Sequence, residues 1–129
     1  MTQVAAATVD GIFVVDLDDE TVAPDPLGMV EPEPVGVELP LVVAAAAAGS
    51  TVVVVVRRRP PLAVSHDAGS TWRESGGGLP EGRAVAIGDD PDLIVFAGRN
   101  RLYVSRDGGR FWARVDVELP EIEAIEIRG

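Results

Sequence analysis

Two carboxylates follow an apolar segment near the start of the chain. The sequence IFVVDLDDET, residues 12–21, predicts a strand that ends at Asp16, with Asp18 two residues later. Carboxylates at the tip of a strand can bind Mg²⁺ and support phosphoryl transfer. Phosphoryl transfer is therefore the first chemistry that the residue types suggest.

This Asp-x-Asp pattern resembles the nucleophile motif of haloacid dehalogenase-type phosphatases, which would make Asp16 the nucleophile and Asp18 the acid. A second acidic segment, GDDPD at residues 88–92, resembles the later Mg²⁺-binding carboxylates of that family. That family uses a parallel sheet flanked by helices, and normally a lysine. All 11 basic residues of this chain are Arg, and no window of helix length has a 3.6-residue apolar repeat. We therefore expect these carboxylates to be solvated turn residues.

No other catalytic set is complete. Sialidase chemistry needs three clustered Arg, an Asp acid and a Tyr nucleophile with a Glu partner, but Tyr103 is the only Tyr and lies among apolar strand residues. The single His, His66, has no clustered metal ligands, and the absence of Cys excludes thiolate chemistry. A glycosidase with paired carboxylates stays open, because the chain has 21 Asp and Glu. We predict no catalytic residues, no metal and no cofactor.

The charge of the chain limits its partners. A net charge of -10 argues against nucleic acid and anionic membranes, since both need a basic face. Arg57, Arg58 and Arg59 form a basic cluster, which is either a solvated strand end or a patch that binds an anion or a partner. The first residues lack a signal-peptide pattern. We expect a cytoplasmic protein.

Residues 41–56, LVVAAAAAGSTVVVVV, are apolar enough to be considered as a membrane span. These 16 residues are fewer than the ~20 that a spanning helix needs. The β-branched run at residues 52–56 favours a strand, and Gly49-Ser50 favours a turn. We predict two buried strands joined by that turn.

A 40-residue repeat organises the chain. Leu-Pro pairs begin at residues 39, 79 and 119, and SHDAGSTW at residues 65–72 aligns without gaps with SRDGGRFW at residues 105–112. Repeats of this length with several short apolar segments are typical of β-propeller blades. Turn residues delimit strands at 42–48, 52–57, 61–66 and 71–75 in one repeat, and at 84–88, 93–98, 101–106 and 111–117 in the next. The predicted fold is all-β, with four-stranded blades at about residues 1–40, 41–80 and 81–120 and a closing strand at 121–129.

The first 40 residues fit the repeat in two registers. A strict 40-residue spacing puts Leu27 and Met29 where the Asp and Gly of the loop motif should be. A shift of 90 residues instead aligns residues 6–16 with residues 96–106, and the Pro-rich segment 23–34 then forms an inserted loop. We prefer the second register. In it the first blade lacks its first strand, and the tail at residues 121–129 can supply one.

The repeated motif, Ser-x-Asp-x-Gly-x-Thr-Trp, resembles the Asp box, or BNR repeat, of sialidases, sortilin-like receptors, xyloglucanases and photosynthesis assembly factors. One copy consists of Ser65, Asp67, Gly69, Thr71 and Trp72, and the other keeps Ser105, Asp107, Gly109 and Trp112 but has Phe111 in place of Thr. The resemblance implies a β-propeller in which the box is the hairpin between the third and fourth strands of a blade, away from any sugar site. The residue types agree with a structural role, because short side-chain oxygens can bind turn N–H groups and Gly permits positive φ.

Three blades cannot close a ring, because propellers generally have 4 to 8. Two chains would give six blades, whereas three would give nine. We therefore predict a homodimer in which each C-terminal strand completes the first blade of the other chain. The lack of a catalytic set favours a non-catalytic scaffold that binds a protein partner on one face or in the central channel. Carbohydrate binding, with or without hydrolysis, is the alternative implied by the resemblance.

Overall fold

The regular structure of the chain consists of β-strands. The computed structural model describes residues 2–31, 35–37, 39 and 41–128, and no α-helix occurs among them. The strands are β1 (Gln3–Thr8), β2 (Gly11–Asp16), β3 (Thr21–Pro24), β4 (Val42–Ala48), β5 (Thr51–Val56), β6 (Leu62–Ser65), β7 (Arg73–Ser75), β8 (Ala84–Ile87), β9 (Ile94–Ala97), β10 (Leu102–Ser105), β11 (Ala113–Arg114) and β12 (Ile122–Arg128).

These strands form three four-stranded antiparallel sheets, which we name blades. Blade 1 has the order β12-β1-β2-β3, blade 2 the order β4-β5-β6-β7, and blade 3 the order β8-β9-β10-β11. Within blades 2 and 3 each strand pairs with the next along the chain, as short hairpin connections favour. The all-β class and the four-stranded blades that the repeat predicted are confirmed.

The C-terminal strand completes blade 1 of its own chain. β12 pairs antiparallel with β1, so that Val4 lies opposite Ile127 and Ala6 opposite Ile125. The prediction that this strand is exchanged between two chains is therefore wrong, although the strand does fill the missing first position of the blade. The long connection between β3 and β4, residues 25–41, explains the difference, because it can span the distance from blade 1 back to blade 2 within one chain.

The strand pairing in blade 1 follows the register shifted by 90 residues. Ala6 lies opposite Phe13 in the β1–β2 hairpin. The residues 90 positions later, Phe96 and Tyr103, lie opposite each other in the β9–β10 hairpin. The two hairpins are therefore equivalent, as the second register predicts.

Blade 3 lies between the other two blades. Its innermost strand, β8, contacts β4 on one side and β12 on the other. Along β9, Ile94 and Phe96 pack with blade 2, while Val95 and Ala97 pack with blade 1, and all four are 0% exposed. Burial on both faces explains why this strand has no polar residue. The chain is thus an arc of three blades in the spatial order 2, 3, 1.

Described residues of the connection between β3 and β4 contact both ends of this arc. At the blade 1 end, Arg128 of β12 donates to the carbonyl oxygen of Met29 at 2.5 Å. At the blade 2 end, Val37 and Leu39 pack on the face of the sheet that is opposite blade 3. The connection therefore covers part of each sheet face that lies at an end of the arc.

The apolar run at residues 41–56 forms β4 and β5, which a turn at Gly49 joins with a φ of 59°. The prediction of two strands is confirmed, but only β5 is buried; the residues of β4 are half-buried or exposed, because this strand lies at the edge of its sheet. No helix in the described part of the chain is long and apolar enough to cross a bilayer.

Candidate functional site

The turn between β6 and β7 is held by the side chains of Ser65 and Asp67. Ser65 Oγ donates to Asp67 Oδ1 at 2.7 Å and accepts the N–H of Gly69 at 2.8 Å. Asp67 Oδ1 accepts the N–H of Thr71 at 2.8 Å, and Asp67 Oδ2 accepts the Thr71 hydroxyl at 2.6 Å. Gly69 has a φ of +90°, which L side chains rarely adopt. The polar atoms of this motif thus bind the turn itself.

The turn between β10 and β11 repeats the arrangement around Ser105 and Asp107. Ser105 Oγ donates to Asp107 Oδ1 at 2.7 Å and accepts the N–H of Gly109 at 2.8 Å. Asp107 Oδ1 accepts the N–H of Phe111 at 3.0 Å. Phe111 stands where Thr71 stands in the first turn, so it offers the carboxylate no hydroxyl. Its side chain is 78% exposed.

Both turn carboxylates titrate below their ordinary range. The Thr71 hydroxyl, the Thr71 N–H and the Ser65 hydroxyl lower the pKa of Asp67 from 3.8 to about 2. The N–H of Phe111 and the hydroxyl of Ser105 lower the pKa of Asp107. Because both groups are ionised at neutral pH, neither is suited to act as a general acid there.

Trp112 joins blade 3 to blade 2. Its Nε1 donates to Ser75 Oγ at 3.1 Å, and the Ser75 hydroxyl donates in turn to the carbonyl oxygen of Gly109. The indole meets the ring of Phe96 edge-on, with 6.3 Å between the ring centroids. The second turn is therefore a contact between blades as well as a local structure.

Trp72 holds the same position in the first turn, but it lies at the end of the arc. It packs on the outer face of blade 2 with Val37 and Leu39 of the connection. A cleft of about 330 Å³ lies between the turn and this connection. The two tryptophans thus share a position in the repeat and differ in what they contact.

The innermost strands of the three blades line a groove that the sequence did not reveal. We call it the axial groove. It has a volume of about 820 Å³, and its walls are Ala45–Ala48 of β4, Val85–Ile87 of β8 with Gly88 after it, Ile125–Ile127 of β12, and Val35 and Gly36 of the β3–β4 connection. Each of these strands is the innermost strand of its sheet, so one edge of each has no sheet neighbour. A smaller hollow of about 360 Å³ also lies along these strands.

Three carboxylates adjoin the axial groove, those of Glu31, Asp89 and Glu126. Glu126 is held on both oxygens: Oε1 lies 3.4 Å from Arg128 Nε, and Oε2 accepts the N–H of Glu31 at 3.3 Å. The side chains of Glu31 and Asp89 are exposed. Acidic groups therefore border a groove whose walls are mostly Ala, Val and Ile.

The signal for this groove in the sequence is the Ala run of β4. Small side chains on an innermost strand leave space and give access to the backbone. In the sequence this run indicates only an apolar segment, because nothing there says which face of the strand meets another blade. The sequence predicts the strand, but the groove depends on how the three blades pack against each other.

The carboxylates of the phosphatase-like pattern form turns, as predicted, and Asp18 and Asp19 are solvated, but the prediction of solvation is wrong for Asp16, which is buried at the end of β2. Asp16 Oδ1 accepts the N–H groups of Asp18 and Asp19 at 2.9 and 3.0 Å. Asp90 Oδ1 likewise accepts the N–H of Asp92 at 3.0 Å in the second acidic segment. All three sheets are antiparallel. The pattern is therefore not set in the parallel sheet that the phosphatase family needs.

The other candidate residues do not come together in one site. Tyr103 is half-buried against Phe96, with 5.9 Å between the ring centroids, and His66 is exposed. Arg57–Arg59 are exposed at the β5–β6 turn, where Arg59 donates to the carbonyl oxygen of Leu79 at 2.7 Å. Within the described ranges, no group of three His, Cys, Asp or Glu could hold a metal ion.

No protein-family model matches the sequence, and no curated protein matches it. Among solved structures, the chain is similar to "YCF48 bound to D1 peptide", with a TM-score of 0.52 and 16% sequence identity. The match covers 85% of this chain and 39% of that chain, so this chain spans well under half of that protein's length. YCF48 is a β-propeller. The likeness shows the fold: the three blades are part of a β-propeller.

Proposed function

We propose that the chain is a non-catalytic β-propeller module that binds an extended segment of a protein partner in the axial groove. The observation that carries the proposal is the groove itself, bounded by the innermost strands of all three blades. An extended peptide can add to an open strand edge by main-chain hydrogen bonds, while shallow pockets accept its alternate side chains.

The strand best suited to this role is β4. Ala45–Ala48 line the groove, and small side chains let a second backbone approach closely. Ala47 is exposed and lines the groove, so its side chain is accessible to a ligand there. A partner segment that pairs with β4 would also contact β8 and β12 across the groove. This geometry favours an extended segment over a helix.

The charge of the groove favours a cationic segment. Glu31, Asp89 and Glu126 adjoin it, and the chain as a whole has a net charge of -10. Such a field attracts Lys- or Arg-containing segments and repels acidic ones. The YCF48 structure, which contains a bound D1 peptide, supports peptide binding as a use of this fold. It does not identify the partner of this chain.

The two motif turns belong to the proposal as structural elements of the Asp-box type. Their Ser and Asp side chains bind backbone groups of the turn, and Trp112 contacts the neighbouring blade. This role leaves the turns with few free polar atoms for a ligand. Arg57–Arg59 do not line the groove and lie exposed at the β5–β6 turn, where they are part of the proposed interface between chains.

We also propose that two chains form a homodimeric six-bladed ring, each chain keeping its own β12. Three blades are too few to close a propeller, whereas six lie within its usual range. In the ring the axial groove would become a channel with walls from both chains.

Fluorescence anisotropy with labelled decapeptides tests the groove. We would compare Ala/Lys, Ala/Ser and Ala/Glu peptides of equal length at low salt. We expect affinity to fall in that order, with Ala47→Trp, which fills the groove, abolishing binding. The matched control is Ala113→Trp, because Ala113 is an exposed Ala on the outermost strand of blade 3.

A second pair of variants tests the charge. Asp89→Asn should weaken Ala/Lys peptide binding about fivefold, equivalent to about 1 kcal/mol, whereas Asp116→Asn, at an exposed position outside the groove, should leave it unchanged. Failure of every peptide to bind below ~1 mM would overturn the proposal. A glycan array with saturable binding would instead support the carbohydrate alternative, for which the lining of the axial groove offers no aromatic side chain.

A further inference from the structure

The contact that joins blade 3 to blade 2 has two sides, and a residue equivalent to each side lies at one end of the arc. At that internal contact, Trp112 of blade 3 donates to Ser75 of blade 2. Trp72 is the equivalent of Trp112 one repeat earlier, on blade 2. It lies on the face of blade 2 that is opposite blade 3. The tryptophan half of the contact is therefore repeated at one end of the arc.

Asp25 lies at the blade 1 end of the arc, at the position that is equivalent to Ser75. Ser75 ends the fourth strand of blade 2 and lies opposite Leu62. In blade 1, Asp25 follows the fourth strand, and its N–H donates to the carbonyl oxygen of Ile12, which is the equivalent of Leu62, at 2.8 Å. A carboxylate can accept an indole N–H as a hydroxyl oxygen does. Asp25 is thus the blade 1 counterpart of Ser75.

The residues that follow Asp25 add an apolar surface to this end. Leu27 is 95% exposed and Met29 is 64% exposed. At the opposite end of the arc, the cleft of about 330 Å³ beside Trp72 is lined partly by Val37 and Leu39. Protruding apolar side chains at one end and an apolar cleft at the other are features of complementary surfaces.

The charges at the two ends are also complementary. Arg57–Arg59 are exposed at the β5–β6 turn of blade 2, and Asp10 is exposed at the β1–β2 turn of blade 1. These two turns hold equivalent positions in their blades, so they lie on the same rim of a propeller. If blade 1 of one copy is placed beside blade 2 of another, the basic and acidic turns become neighbours.

We propose that a second copy of this chain docks end to end on the first, with Trp72 of one copy against Asp25, Leu27 and Met29 of the other. Such a contact reproduces the joint between blades 2 and 3. A head-to-tail contact of this kind gives either a closed ring or an open filament. Because each chain has three blades, two copies are needed to close a six-bladed ring. This contact is the interface of the homodimer proposed above, and it does not depend on which ligand the groove binds.

Sedimentation equilibrium tests the interface through the oligomeric state. The wild type should have twice the chain mass of 13.5 kDa. Leu27→Glu puts a charge into the apolar contact and should raise the dimer dissociation constant at least tenfold. Phe111→Glu is the matched control, because Phe111 is an exposed apolar residue on the turn of the central blade. It should leave the dimer intact, and circular dichroism should show both variants folded.

Cross-linking tests which surfaces meet. Because the chain has no Cys, Pro26→Cys combined with Ala68→Cys introduces one thiol at each end of the arc and keeps Asp25; both positions are exposed, and Ala68 lines the Trp72 cleft. A short bis-maleimide should give a covalent dimer with the double variant. It should give none with either single variant, since the proposed ring holds two copies of the same residue at opposite interfaces.

Each outcome is decisive. A wild type with the mass of one chain at every concentration would overturn both the homodimer and its interface. A dimer that Leu27→Glu does not weaken, and that the double variant does not cross-link, would overturn the interface alone. A ladder of larger cross-linked species would show an open filament and would overturn the closed ring.

Discussion

The turns at Asp67 and Asp107 have nearly the same internal structure and different surroundings. In each, a Ser hydroxyl donates to the Asp carboxylate at 2.7 Å and accepts a Gly N–H at 2.8 Å. Trp112 of the second turn lies between two blades, whereas Trp72 of the first lies at the end of the arc, beside the β3–β4 connection. The local geometry is therefore independent of whether a neighbouring blade is present.

This difference separates two roles of the motif. The Ser, Asp and Gly positions shape the turn, because their partners lie within a few residues. The Trp position depends on its surroundings: Trp112 contacts Ser75 of the adjacent blade and Phe96 of its own blade, whereas Trp72 packs beside the connection. A repeated motif can thus contribute unequally to stability at its two positions.

Replacing each tryptophan in turn gives the largest expected effect. Trp112→Ala should lower the free energy of unfolding by about 3 kcal/mol, because it removes the contact between blades and leaves a cavity. Trp72→Ala should cost about 1 kcal/mol, since that indole packs against a single blade. Urea unfolding followed by far-UV circular dichroism, at a dilution where the wild type is monomeric, measures both. Equal losses would mean that the two turns do not differ in role.

Ser75→Ala tests the same contact from the opposite blade, with a smaller expected effect. Ser75 is buried, accepts the N–H of Trp112 and donates to Gly109, so its removal leaves two groups without this partner. We expect a loss of about 1–2 kcal/mol in the same urea experiment. The control is Ser70→Ala, at an exposed position in the first turn, which should change stability by less than about 0.5 kcal/mol. A loss with Ser70→Ala as large as with Ser75→Ala would contradict the assignment.

Much of this architecture could be predicted from the sequence, because strands and turns are encoded locally. The segment predicted at 42–48 is the observed β4, and the segment predicted at 93–98 contains β9, Ile94–Ala97. Apolar runs between turn residues are sufficient to predict both of these strands. The C-terminal strand was also assigned to the correct blade, because β1 needed a neighbour that its own repeat did not supply.

The path of the chain between blades could not be predicted in the same way. The sequence indicates which blade lacks a strand, but whether β12 is exchanged between chains depends on how far residues 25–41 can reach. The axial groove likewise arises from β4, β8 and β12, which are distant in sequence. Both features depend on packing between blades, on which a 40-residue repeat gives no direct information.

The one side chain that differs between the turns gives the smallest and most specific test. Thr71 donates two hydrogen bonds to Asp67, whereas Phe111 donates only its N–H to Asp107. Thr71→Val should therefore raise the pKa of Asp67 from about 2 towards 3.8, and Phe111→Thr should lower the pKa of Asp107 further. Carboxyl ¹³C shifts followed by NMR during a pH titration measure each value.

The lowered pKa of Asp67 sets the direction in which the stability of the fold changes with pH. Because the pKa of Asp67 is lower in the folded chain than its ordinary value of 3.8, its ionised form stabilises the fold above pH 3.8, and that contribution is lost as the pH falls towards about 2. Thr71→Val should make the folded chain less resistant to acid in this window. Near neutral pH it should not change how the free energy of unfolding varies with pH. If the pKa of Asp67 stayed near 2 in Thr71→Val, the N–H groups of the turn, rather than the hydroxyl, would set it. The two turns would then be electrostatically equivalent, and the Thr-to-Phe difference would matter only for the exposed surface.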